Sequence, residues 1–141
     1  WGEMDSKKED RKAIAIIFGK RLRLLREAIG KTQKELGFIL NMQPIIMSRY
    51  ETGNDGYLVK DNFLQAIADF FGVSSDWFTS KEEVLLPEPP VIKNATIKAN
   101  IYLALLNTNI SRQAVPEIAD NLISQIKLIE KYHCLIEKKA P

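Results

Sequence analysis

Cysteine and histidine are nearly absent from this sequence, which contains one of each, Cys134 and His133. A single cysteine excludes a disulfide framework within the chain, and one of each residue excludes a Cys/His zinc site. The two are adjacent on a predicted helix, so their side chains point in different directions and form no catalytic pair. We therefore expect a protein that binds rather than an enzyme, with no metal and no cofactor.

Long apolar runs are lacking as well. No run reaches the roughly 18 residues that span a bilayer, and no secretory apolar region follows the charged N-terminus. With 45% hydrophobic and 27% charged residues, the 141-residue chain can bury a core and stay soluble. Its net charge of +2 neither favours nor excludes a polyanionic partner. We expect a cytoplasmic protein that does not associate with a membrane.

Alternating strand-like segments are missing, and the apolar residues recur at three- and four-residue steps, which predicts an all-α fold. Residues 1–10 alternate in charge without an apolar face, a pattern that predicts a mobile leader. The first helix is predicted to begin at about Arg11. Residues 11–80 contain five predicted helices. Residues 81–90 are acidic and rich in proline, which is typical of a semi-rigid linker, and residues 91–141 predict a helical hairpin.

The second and third helices are short and are joined by a tight turn. Thr32 and Glu35 have the spacing of a capping box, which predicts the start of the second helix. The turn is predicted at Asn41, since asparagine tolerates left-handed backbone angles better than most residues. Pro44 suits the first position of the third helix, and Gly53 suits its end.

The order of residues across these two helices resembles the Cro/phage-repressor (xenobiotic response element) helix-turn-helix family. The matching segments are Thr32-Gln33-Lys34-Glu35-Leu36-Gly37, Leu40-Asn41-Met42 and Met47-Ser48-Arg49-Tyr50-Glu51-Thr52-Gly53. The resemblance extends over about residues 14–79. It implies a five-helix lambda-repressor-like DNA-binding domain and a sequence-specific transcription regulator of double-stranded DNA, a prokaryotic or phage repressor.

Three positions depart from the family pattern. Gly37 stands where the family has a small alanine; we expect it to permit close helix packing but to weaken the helix by about 1 kcal/mol relative to alanine. Asn41 replaces the usual turn glycine. The loop after Gly53 is longer than usual and lacks the usual proline.

By this resemblance the third helix lies in the DNA major groove, and its N-terminal residues contact the base edges. The implied base contacts are Gln43, Pro44, Ile45 and Arg49. Arg49 suits guanine O6 and N7, and Gln43 suits adenine. Pro44 and Ile45 have no polar side-chain atoms, so they are limited to thymine methyl groups or DNA shape; the alternative for Ile45 is a place in the core.

The resemblance also implies phosphate contacts and one structural ion pair. Gln33 matches a family glutamine that binds a phosphate and braces the recognition helix, and helix N-termini attract anions in general. Further phosphate candidates are Lys31, Lys34, Asn54, Tyr57 and Lys60. For each lysine, a solvated surface position is the alternative. Arg26 and Glu51 match a family pair that forms a buried salt bridge.

Charge is distributed unevenly along the chain. Between Phe18 and Leu36, six basic residues and two acidic ones give +4; from Asp61 to Glu83, one basic and five acidic residues give −4. The near-neutral total therefore conceals a basic segment on the helices expected to face DNA.

Residues 91–141 are few for an independent domain, and their apolar stripes need a partner surface. We expect a dimerisation hairpin, because two subunits bind two half-sites of a palindromic operator. The apolar positions are Ile97, Ile101, Leu105, Ile118, Leu122, Ile126 and Ile129. A lid on the DNA-binding domain is one alternative. Another is an antitoxin-like regulator whose C-terminal helices capture a different protein.

Overall fold

The computed structural model describes the backbone of residues 2–139 and the side chains of residues 7–137, and within these limits it contains seven α-helices and no strand. The helices are α1 (Gly2–Ala28), α2 (Gln33–Ile39), α3 (Pro44–Thr52), α4 (Asp61–Phe71), α5 (Ser75–Thr79), α6 (Pro89–Leu106) and α7 (Val115–Lys139). A short 3-10 turn, Arg112–Ala114, precedes α7. The prediction of an all-α fold is confirmed.

Helix α1 begins earlier than the sequence predicted. It starts at Gly2, so residues 2–10 continue the helix that was expected from about Arg11, while Trp1 lies outside the described residues. The charged residues 7–10 are all exposed, as a segment without an apolar face should be. Lysine, arginine and glutamate favour helix by themselves, and no proline or glycine interrupts the chain between Gly2 and Phe18, so the helix continues without an apolar stripe.

The chain divides into two compact units, residues 1–99 and residues 100–141. In the first unit, α1 packs against α3 and α5, α2 against α3, and α4 against α5. The centre is aromatic: the ring of Phe18 lies 5.9 Å from that of Tyr50, edge to face, and 5.6 Å from that of Phe78. The other fully buried large side chains of this unit are Leu22, Leu25, Leu36, Met47, Ile67 and Phe71.

Helices α1 and α3 are so close that their backbones are in direct contact at two glycines. A Cβ atom on Gly19 of α1 would collide with the carbonyl oxygens of Tyr50 and Glu51. Gly53, which ends α3 with a φ of 61°, lies against the carbonyl oxygen of Ala15 in the same way. Glycine at both contacts lets α1 support α3 without side chains between them.

The connection between α2 and α3 has the predicted local features. Thr32 Oγ1 accepts the Glu35 N–H at 3.1 Å, and Glu35 Oε1 accepts the Thr32 N–H at 3.0 Å, so the capping box is present. Asn41 has a φ of 57°, the one positive value at a non-glycine residue in the described part of the chain. Pro44 is the first residue of α3.

Gly37 allows the close packing that was expected of it at the turn after α2. A Cβ atom here would lie 2.7 Å from the carbonyl oxygen of Met42, which is closer than real Cβ contacts. The Met42 N–H also donates to the Gly37 carbonyl at 2.7 Å. Alanine would therefore push the turn away from α2, and its higher helix propensity gives no net advantage here.

Helix α6 begins inside the predicted linker. Its first residue is Pro89, because proline is tolerated in the first turn of a helix, and only residues 81–88 of the predicted 81–90 linker are non-helical. Residues 89–99 of α6 belong to the first unit, where Lys98 Nζ lies 5.0 Å from the centre of the Phe70 ring. The division between the units falls after Ala99, inside α6, and not at the predicted residue 91.

The second unit contains the end of α6, the 3-10 turn and α7. Its buried side chains are Val115 and Ala119, near the start of α7. Tyr102 is half-buried, and burial together with the negative charge of Asp120 raises its pKa. From residue 124 to residue 137 every side chain of α7 is exposed except Ile126, which is half-buried. No helix in the described part of the chain is long and apolar enough to cross a membrane.

Candidate nucleic-acid interface

Helix α3 has one buried face and one exposed face. Met47, Tyr50 and Glu51 are buried. Ile45 and Arg49, one helical turn apart, are exposed on the other face. Ile45 is 72% exposed, so the alternative in which it belongs to the core does not fit this structure. An apolar side chain held out on a short helix is available to a partner surface.

The residues that begin α3 are also exposed. Gln43 precedes the helix, and its side chain makes no capping hydrogen bond, so its amide is not used by the helix end. Pro44 follows and is exposed. Three of the predicted base contacts, Gln43, Pro44 and Ile45, therefore lie together at one end of α3.

Arg49, the fourth, is held by the loop that follows α3. Its Nε donates to Asp55 Oδ2 at 2.6 Å, and its guanidinium carbon lies 3.8 Å from the centre of the Tyr57 ring. The hydrogen bond from Arg49, with a smaller contribution from the Tyr57 N–H, holds the pKa of Asp55 below its usual value. Sequence reasoning missed Asp55; the signal was a carboxylate beside Gly56 in a loop already recognised as longer than usual.

Arg26 and Glu51 form a buried ion pair between α1 and α3. Arg26 Nε and Nη2 donate to the two oxygens of Glu51 at 2.7 and 3.0 Å, and the side chains are 12% and 3% exposed. Arg26 Nη1 also donates to the Lys31 carbonyl at 2.8 Å. The pair therefore fixes α3 to α1 and to the start of α2.

Gln33 takes part in the same cluster. Its Nε2 donates to Glu51 Oε1 at 3.1 Å, which links the first turn of α2 to the end of α3. Gln33 therefore contacts the helix that it is predicted to brace. Lys34, the next residue, is exposed.

Comparison with known proteins assigns this arrangement to a family. Residues 17–76 match the family model described as a helix-turn-helix domain. This segment is a helix-turn-helix domain. Domains of this kind are typical of DNA-binding regulators, with α2 and α3 as the two helices of the motif. No curated protein and no solved structure matches the chain.

The loop of the helix-turn-helix domain places its three phosphate candidates differently. Asn54 and Lys60 are exposed, whereas Tyr57 is half-buried. The Tyr57 ring stacks on that of Tyr50, with ring centres 5.1 Å apart and an interplanar angle of 14°. Burial, and then the hydrogen bond to Tyr57, raises the pKa of Tyr50 to about 12. Tyr57 therefore lies between Arg49 and the core, a place suited to supporting Arg49.

Fewer basic side chains of the helix-turn-helix domain are available to an outside partner than the charge count between Phe18 and Leu36 indicates. Arg21 donates to the carbonyls of Trp77 and Glu82, both at 2.8 Å, and burial lowers its pKa. Arg23 pairs with Glu27 at 2.9 Å, and this hydrogen bond raises the Arg23 pKa. Together with Arg26 in the buried pair, these arginines are engaged within the domain, which reduces the basic charge left for an outside partner.

The described residues contain no group of three or more histidine, cysteine, aspartate or glutamate side chains that could hold a metal ion. Cys134 is exposed on α7, and His133 Nε2 lies 3.0 Å from Glu137 Oε1 on the same helix.

Proposed function

We propose that this protein is a sequence-specific double-stranded DNA-binding transcription regulator, a dimeric repressor that contacts a palindromic operator through α3. The observation that carries the proposal is the exposed face of α3, on which Ile45 projects while the opposite face is locked to α1. The major groove of DNA is wide enough to admit an α-helix, and each base pair presents a distinct pattern of donors and acceptors there.

The proposed base contacts are the exposed side chains of α3 and of Gln43, which precedes it. Arg49 donates to guanine O6 and N7, the commonest specific contact to a base. Gln43 contacts adenine, and Pro44 and Ile45 contact thymine methyl groups. Because two of the four side chains are apolar, hydrogen-bonded specificity is concentrated on Arg49.

Phosphate contacts surround this face and set its position on the duplex. The start of α2 contributes Gln33, Lys31 and Lys34. The loop contributes Asn54, Lys60 and the hydroxyl group of Tyr57 as contacts to the DNA phosphates. Because such contacts release counterions, the affinity for any DNA falls as salt rises.

The dimer forms through α7. Leu122, Ile129 and Ile136 are spaced at seven residues and are exposed, Ile129 by 67% and Ile136 by 68%. Ile126 follows Leu122 by four residues and precedes Ile129 by three, the alternation of a coiled-coil seam. Of the other predicted positions, Ile101, Leu105 and Ile118 are half-buried in the second unit, whereas Ile97 lies in the first.

A second apolar row favours the antitoxin-like alternative. Leu128, Tyr132 and Leu135 are exposed beside the seam, at steps of four and three residues. A two-stranded coiled coil needs only one seam, so this row is surplus to a homodimer. A different protein bound across both rows would cover it.

Selection of bound duplexes from a random pool tests the proposal. We expect a palindromic motif with half-sites about one helical turn apart. No enriched motif would refute sequence-specific binding, and a single half-site would refute the dimeric arrangement.

Sedimentation of the full chain tests the dimer separately. Ile129→Glu should turn a dimer into a monomer and weaken operator binding, because it places a charge in the seam. Cys134→Glu is the matched control, since Cys134 is exposed on α7 away from both apolar rows. A monomeric wild-type protein that binds a co-expressed neighbouring protein through α7 would support the alternative instead.

A further inference from the structure

The Arg49 side chain contacts two residues of the loop that follows α3. Asp55 takes its Nε at 2.6 Å, and the Tyr57 ring covers its guanidinium at 3.8 Å. Both contacts lie at the exposed face of α3, where an arginine in water would otherwise sample many rotamers. We call Asp55 and Tyr57 together the Arg49 cradle.

The cradle is fixed by contacts of its own. Asp55 Oδ1 accepts the Tyr57 N–H at 3.2 Å, so one carboxylate binds both Arg49 and the backbone of the loop. Gly56 between them has a φ of 73°, a left-handed turn that brings Tyr57 back towards Asp55. Tyr57 in turn stacks on Tyr50, which is fully buried in the core. Arg49 is thereby connected to the rigid interior.

The grip leaves the outer end of the guanidinium available. Asp55 occupies Nε, and within the described residues no hydrogen bond is formed by Nη1 or Nη2 of Arg49. These two nitrogens are a matched pair of donors, and guanine offers a matched pair of acceptors in O6 and N7. With Nε taken, the end-on approach through Nη1 and Nη2 is the remaining bidentate geometry.

We infer that Asp55 and Tyr57 are positioning residues that hold Arg49 ready for end-on recognition of one guanine. This inference rests on the proposed function and adds a specificity determinant outside the recognition helix. Pre-ordering the arginine removes part of the entropy that binding would otherwise cost.

The charge of Asp55 contributes in a second way. Its carboxylate repels the phosphates of every duplex, and only a duplex with a guanine for Arg49 offers a contact that offsets this repulsion. An exposed ion pair of this kind adds little to folding stability. Its effect should therefore appear in DNA discrimination and not in the unfolding midpoint.

Asp55→Asn in the full chain tests the cradle by binding titrations with three duplexes. These are the selected operator, the same operator with the guanine pair at the Arg49 position replaced, and a random sequence. The wild type should prefer the guanine pair by about 5- to 150-fold. Asp55→Asn should reduce that preference by about three- to ten-fold and raise affinity for random DNA about two-fold or more.

Two further variants separate positioning from charge alone. Tyr57→Leu removes the ring and should also lower the guanine preference, whereas Tyr57→Phe keeps the ring and should retain it. Asp61→Asn is the matched charge control, because Asp61 is an exposed carboxylate at the start of α4 that does not contact Arg49. It should raise affinity for all three duplexes without changing the preference. In an Arg49→Ala background, Asp55→Asn should no longer alter the preference.

Unchanged guanine preference in Asp55→Asn would overturn the inference while leaving the proposed function in place. Equal gains on all three duplexes would do the same, since Asp55 would then only repel DNA. A wild-type protein without any sequence preference would contradict the proposed function itself, and the inference with it.

Discussion

Removing Arg26 should destabilise the helix-turn-helix domain far more than removing another arginine of α1. In Arg26→Met, Glu51 remains buried with a 3% exposed side chain and keeps only the Gln33 amide as a side-chain partner. Breaking a buried pair from one side costs about 3–5 kcal/mol, because an uncompensated charge is left behind. That is a large share of the roughly 5–15 kcal/mol that stabilises a typical domain.

Arg23→Met is the matched control. Arg23 lies one turn away on α1 and pairs with Glu27, but both side chains are more than half exposed. An exposed pair at this spacing contributes about 0.3–0.5 kcal/mol. The two substitutions remove the same atoms from the same helix, so their difference isolates burial.

Urea unfolding followed by Trp77 fluorescence, in a Trp1→Phe background, provides the measurement. For an m-value of about 1.5 kcal/mol/M, Arg26→Met should lower the midpoint by about 2–3 M and Arg23→Met by about 0.3 M or less. The double variant Arg26→Met/Glu51→Met should be more stable than Arg26→Met alone by about 1 kcal/mol or more, because it removes the stranded charge. Similar small losses in both single variants, or additive losses in the double, would refute the buried-charge explanation.

Two other predictions concern α2. Gly37→Ala should lower stability by about 1–3 kcal/mol, against the gain of about 1 kcal/mol expected from helix propensity, because the new methyl group meets the Met42 carbonyl; a raised melting temperature would contradict this. The hydrogen bond from the Thr32 N–H is the main cause that lowers the Glu35 pKa. The wild type should therefore be more stable than Glu35→Gln above the ordinary pKa of 4.5, and this difference in unfolding free energy should disappear as the pH falls through the lower pKa of the folded state. A difference that persists unchanged to about pH 2 in unfolding titrations would contradict this explanation.

The connection from α2 to α3 could be predicted because its signals are local. Thr32 with Glu35, Asn41 and Pro44 each determine the backbone within a few residues of themselves, and the structure has each feature where it was expected. The buried face of α3 was also predictable, since Met47 and Tyr50 are large and apolar at a three-residue step.

The Arg49 cradle could not be predicted in the same way. Whether Asp55 reaches Arg49 depends on the path of the loop, which has no hydrophobic period and follows from the left-handed turn at Gly56. The early start of α1 was missed for a related reason, since a charged helix without an apolar face carries no periodic signal. The division inside α6 depends on long-range packing, which a change in composition at residues 81–90 does not reveal.

The glycine contacts between α1 and α3 have a consequence for altering the DNA specificity that we propose for α3. Because Gly19 and Gly53 join the helices through backbone atoms, the support of α3 does not involve the side chains of its outer face. Gln43, Ile45 and Arg49 can therefore be exchanged as a set without repacking the interior. The fold of the domain is therefore independent of the side chains on this outer face. A library of variants that differ only at these positions should consist mostly of folded proteins.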